Sequence, residues 1–99
     1  MNFGISEHHT GLIIDTLKSN GVTRAVVFGS RAKGNFRDNS DVDICVWGDV
    51  NVRKILACLD ELPTPYKFDL IEYKTIKNKP LQEHIDRVGK TLLLQKGEL

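Results

Sequence analysis

The sequence predicts an α/β (α+β) fold, a small mixed sheet of three to four strands flanked by helices, on three observations. Short β-branched runs alternate with stretches of helical period. Cap and breaker residues stand at most junctions between them. The length, 99 residues, suits one domain with one core, spanning residues 1–99. A chain of this size buries roughly two-thirds of its unfolded surface, enough for a single core and little else.

The elements follow in order. Ser6 is placed to cap a helix from Glu7 to about Ser19, with Ile13, Ile14 and Leu17 as its apolar stripe. Asn20-Gly21 stops it, because glycine accepts the left-handed conformation a helix end needs. The β-branched run "TRAVVF" reads as a strand ending at Gly29, and Ser30 to Lys33 as a helical turn. "DVDICVW" is a second strand. Asn51 or Asp49 caps a helix from Val52 to about Leu62, burying Ile55, Leu56 and Leu59, and "PTP" at 63–65 ends it. "YKFDLIEY" is a third strand. Pro80 suits the first position of a last helix, which runs to Val88 with Gly89 closing it. "TLLLQ" is either a short edge strand or a packed tail.

Composition narrows the function classes. Hydrophobic residues make up 40% and charged residues 27%, as in ordinary globular proteins, and the formal charge is +1. That balance demands neither a nucleic-acid nor a membrane partner. The longest apolar runs are too short to span a bilayer, and the start of the chain lacks the pattern of a secretory signal. The two cysteines, Cys45 and Cys58, lack CxxC spacing and read as reduced thiols of a cytoplasmic protein.

The chemistry sits in "VVFGSRAKGNFRDNSDVDICVW", residues 26–47. Residues two apart on a strand share a face, roughly 6.6 Å apart. Asp41 and Asp43 therefore point the same way, while Val42, Ile44 and Val46 point into a core. Two like charges there cost stability unless a cation lies between them, and oxygen-only ligands suit Mg²⁺ or Mn²⁺. Asp69, in the middle of the third strand, is a further carboxylate. If that strand neighbours the second, three carboxylates converge in the manner of a two-metal phosphoryl-transfer site. Gly29 and Ser30 at a strand end offer amides and a hydroxyl to a phosphate, and Arg31, Lys33 and Arg37 bring positive charge to the same loop. A metal-bound nucleoside triphosphate would satisfy both halves.

Gly29-Ser30, ten residues, then Asp41-Val42-Asp43, with the later "FDLI", resembles the signature of the nucleotidyltransferase superfamily related to DNA polymerase β. The fuller pattern is similar to its small prokaryotic members, the minimal nucleotidyltransferases. The resemblance implies a polymerase β palm-like fold and transfer of a nucleoside monophosphate to a hydroxyl, with release of pyrophosphate. It implies that Gly29 and Ser30 bind the triphosphate, with Arg31 beside them, and that Asp41 and Asp43 hold two Mg²⁺ ions. Asp69 would ligate the catalytic ion and help remove the acceptor's proton. The resemblance favours ATP as the substrate. Relatives that modify antibiotics, tRNA ends or DNA usually carry an extra domain to bind the acceptor, for which a chain of this length has no room. The resemblance therefore implies a protein partner: an HEPN-type toxin whose tyrosine receives AMP, this chain being its antitoxin.

Other readings stand beside these. The chain could silence a toxin by contact alone, its metal site idle, or could act on RNA ends, although it lacks an extended basic face. Asp41 and Asp43 could be solvent-facing charges, and Asp69 a partner of Lys67. Lys33 and Arg37 read equally as solvated charges, and His8, His9 and His84 as surface residues. Trp47 reads as rim or interface packing before it reads as a platform for a base.

Overall fold

The computed structural model describes residues 3–94. Helix α1 (Glu7–Ser19) leads into strand β1 (Val22–Phe28), a short helix α2 (Gly29–Lys33) and strand β2 (Val42–Gly48). Helix α3 (Val52–Asp60), strand β3 (Phe68–Glu72), a 3₁₀ turn (Tyr73–Thr75), helix α4 (Lys79–Val88) and strand β4 (Lys90–Leu94) complete the order. The four strands lie β3-β2-β1-β4; β2 and β3 run parallel, and β1 is antiparallel to both β2 and β4.

Local chemistry explains the boundaries. The Ser6 hydroxyl accepts from the His9 amide at 3.1 Å, and the side chains of Asn51 and Asn78 accept from Lys54 N and Leu81 N at 3.1 and 3.0 Å. Each cap satisfies one amide that the first turn leaves unpaired. Asn51, not Asp49, therefore caps α3, and Asn78 sets α4 one residue earlier than Pro80 alone indicates. Gly21 has φ +83, the left-handed stop expected after α1. The third strand is shorter than the apolar run suggests, because the chain tightens into the 3₁₀ turn at Tyr73. The choice left open for "TLLLQ" resolves as an edge strand through Leu94; Gln95 lies outside the described residues.

The sheet is covered on both faces. On one, Ala25, Val27, Val42, Ile44, Val46, Leu70 and Leu93 pack with Ile13 and Leu17 of α1 and Ile55 and Leu59 of α3. Burying each of these Ile or Leu side chains contributes about 1.5–3 kcal/mol relative to leaving it in water. The other face carries a smaller cluster of Val26, Phe28, Cys45 and Ile85, with Leu81 and Val88 of α4 packed against it. Residues 81, 85 and 88 recur at helical spacing, so α4 lays one apolar stripe over this second face. Among the described residues no helix is long and apolar enough to cross a membrane.

Candidate active site

The second face carries the acidic residues. Antiparallel pairing sets Phe28 of β1 opposite Asp43 of β2, and parallel pairing sets Asp43 beside Asp69 of β3. Phe28, Asp43 and Asp69 thus form a row across three adjacent strands, and paired residues project from one face of a sheet. Asp41 immediately precedes β2 and is exposed, as is Asp69, whereas Asp43 is half-buried. The condition placed on Asp69 in the sequence is met: its strand is the neighbour of β2.

Electrostatics tie the three together. The Asp43 carboxyl titrates above its ordinary range, first because burial disfavours its charge, then because Asp69 and Asp41 repel it; Arg31 works weakly the other way. Among the described residues no cation lies within ion-pair distance of them. Among the described residues the ion pair within 4 Å is Lys74–Glu72, at 3.3 Å, so Asp69 is not a salt-bridge partner of Lys67.

Gly29 abuts this row. Its φ is +72, and a Cβ built there would run into Asp43 Oδ2. Only glycine both adopts that backbone and lets the start of α2 approach the carboxylate so closely. Ser30 follows, half-buried, in the first turn of α2. The structure therefore brings Gly29, Ser30, Asp43 and Asp69 to one end of one face, with Asp41 at the lip.

Arg31 is placed differently from the sequence expectation. A residue next to Ser30 on a helix turns about 100° away from it, and that rotation carries the guanidinium inward, leaving Arg31 1% exposed. NH1 donates to Phe3 O at 2.8 Å, NH2 to Ser40 O at 2.9 Å and Asp38 O at 3.2 Å, and Nε to Ser40 O at 3.1 Å. The rings of Phe36 and Tyr66 lie 5.0 and 5.2 Å from its central carbon. Arg31 is thus a clasp joining α2, the start of the chain and the loop that delivers Asp41. Lys33 and Arg37 are exposed.

A cavity of about 210 Å³ opens beside Asp41, lined by the 38–41 loop and by Pro65, Tyr66 and Lys67. It shares only Asp41 with the acidic row. Cys45, next along the face, is buried and its thiol is pushed up to about 12 chiefly by burial, so it stays protonated and acts as packing.

The donor chemistry fits divalent ions: carboxylate oxygens of mutually repelling residues, with no soft ligand among them. Among the described residues no three acidic, histidine or cysteine side chains converge, as they stand, into a set that could hold an ion. What the backbone secures is the row and its sign of charge.

Two residues acquire positions that the sequence did not reveal. Trp47 has Arg24 over its ring at 4.3 Å and Tyr73 stacked at 4.7 Å and 21°. Arg24 comes from β1 and Tyr73 from beyond β3, on opposite sides of β2, so Trp47 is engaged in packing, the role read first from the sequence. His84 is half-buried, edge-on to Phe28 with ring centroids 6.4 Å apart. The signal was present, since 84 falls within the 81-85-88 stripe of α4.

Comparison with known proteins agrees with this arrangement. The chain belongs to the polymerase beta nucleotidyltransferase family, whose model matches residues 12–98. Its fold is similar to that of solved chains from toxin–antitoxin complexes. One, a toxin–antitoxin with AMP-PNP, is 23% identical with a TM-score of 0.67, over 90% of this chain and 76% of that one. Two variants of the toxin–antitoxin MntA–HpeT align with TM-scores of 0.63 and 0.61 at 20% and 23% identity. They cover 90% and 87% of this chain, and 75% and 72% of theirs. No curated protein sequence matches.

Proposed function

We propose that this chain is a Mg²⁺-dependent adenylyltransferase that moves AMP from ATP to a hydroxyl of a protein partner, a tyrosine of an HEPN-type toxin. The observation that carries the reading is the uncompensated row Asp43–Asp69, with Asp41 at its lip and Gly29 against it. Family membership supports nucleotidyl transfer, and the toxin–antitoxin complexes with a similar fold favour a protein partner.

In this reading Asp41 and Asp43 would hold two Mg²⁺ ions, with Mn²⁺ able to replace them, and Asp69 would complete the ligands nearer the acceptor. Such ions would supply charge neutralisation of the phosphates and activation of the attacking oxygen. The chain's own residues do the rest. The Gly29-Ser30 turn offers backbone amides and a hydroxyl to the phosphate tail, and its close packing on Asp43 keeps that tail beside the carboxylates. Arg31 holds the 38–41 loop and so the direction of Asp41. The acceptor oxygen bonds to the α-phosphorus as the bond to the bridging oxygen breaks. Pyrophosphate leaves with that electron pair, and the hydroxyl proton passes to Asp69 and on to water. Positioning and charge carry most of the rate in such transfers.

The test is incubation with α-labelled ATP, Mg²⁺ and the toxin encoded beside this chain's gene. Label on the toxin's tyrosine, lost in Asp43→Ala, is expected. Absence of label, with Asp43→Ala still protecting cells, would show an antitoxin that works by contact alone. Label on RNA ends would move the acceptor to nucleic acid.

A further inference from the structure

We propose that His84 is a binding residue for the phosphate tail of the nucleotide. The inference rests on the nucleotide reading above and adds to it a residue from a separate element, α4. Three observations lead to it. The imidazole stands edge-on to Phe28, 6.4 Å between centroids, and Phe28 is the strand partner of Asp43 and the residue before Gly29. Helix α4 packs against α2, the helix that begins at Gly29, as well as against the sheet face that bears the acidic row. The ring is half-buried, yet among the described residues its nitrogens have no hydrogen-bond partner.

A half-buried imidazole normally satisfies its nitrogens within the protein or leaves the surface through water. Here packing against Phe28 orients the ring without satisfying it, and the nearby machinery is the turn that would cradle a triphosphate. His84 also meets a need that Arg31 leaves open. Arg31 faces inward on three carbonyls and gives nothing to the phosphates, so a donor from α4 would add to the amides and hydroxyl of the Gly29-Ser30 turn. From α4, His84 is on the β1 side of the row, with Gly29, whereas Asp69 lies on the opposite side of Asp43. The phosphate tail would thus lie between α2 and α4, and the acceptor would approach from the β3 side.

Isothermal titration with ATP and with AMP, each in excess Mg²⁺, separates this role from a structural one. His84→Leu keeps an apolar contact with Phe28 and removes the donor; His84→Gln keeps a donor of similar reach. ATP is expected to bind His84→Leu about tenfold more weakly, and AMP within about twofold of the unaltered chain, since AMP lacks the phosphates concerned. His84→Gln should recover most of the loss. Equal losses for ATP and AMP, or unchanged ATP binding in His84→Leu, would overturn the role of His84 while leaving the nucleotide reading standing. An unaltered chain that binds no ATP would overturn both.

Discussion

The two ends of one sheet face treat charge in opposite ways. At the Trp47 end, Arg24 lies on the indole, Tyr73 stacks beneath it, and the Tyr73 hydroxyl donates to both oxygens of Asp86 at 3.0 and 3.1 Å. There a charge lies on a ring and a hydroxyl is held by a carboxylate, so unlike groups meet. Two residues further along β2 from Cys45, at Asp43, carboxylates stand beside carboxylates and the nearest guanidinium is turned away. Where repulsion is left standing, a cation from outside the chain would relieve it, and that is the end of the face we propose as the site.

Removing Arg31 breaks this contrast most severely. Arg31→Met leaves the buried carbonyl of Phe3 and the part-buried carbonyls of Asp38 and Ser40 without their donor and frees the loop that carries Asp41. A loss of about 3–5 kcal/mol in urea denaturation is expected. A loss under about 1 kcal/mol would mean that the clasp does not hold the loop.

Trp47→Ala sharpens the contrast from the other end. It removes both ring contacts and a cover of the smaller core cluster, for about 2–3 kcal/mol, the half-buried ring giving less than a full core deletion. Nucleotide binding, measured by titration, should be unchanged, because nothing at that end faces the acidic row. Weakened binding would join the two ends and defeat the comparison.

The smallest effect on stability, and opposite in sign, is expected of Asp43→Asn. A carboxyl whose pKa is raised on folding favours the folded state only while protonated; that contribution is complete below the usual 3.8 and is lost as pH rises through the raised value. At neutral pH the ionised Asp43 therefore weakens the metal-free fold. In EDTA, Asp43→Asn should melt slightly above the unaltered chain at pH 7, and the gap should close as pH falls towards 3.8. A gap that persists in acid would mean that charge is not its cause.

Much of this was legible beforehand because the signals are local. Caps, breakers and periodicity act within a turn or two, so α1, β1, β2 and α3 appear close to where the residues put them, with Asp43 on β2 and Asp41 just before it. The neighbours of Arg31 in sequence suggest a phosphate, while its direction depends on which carbonyls lie beneath α2. A helix shows its stripe in sequence but not what the stripe lies against, so the packing of His84 on Phe28 is not legible there.

By itself, then, the sequence determined most of the elements, the spacing of Gly29-Ser30 from the two aspartates, and the family. Only the tertiary structure decided that β3 pairs with β2, so that Asp69 meets Asp43; that Arg31 serves the loop; that Arg24 and Tyr73 pack on Trp47; and that His84 packs on Phe28. The reason is physical. Backbone periodicity fixes which way a side chain leaves its own strand or helix, but which strand becomes its neighbour is settled by burial of the whole apolar surface at once.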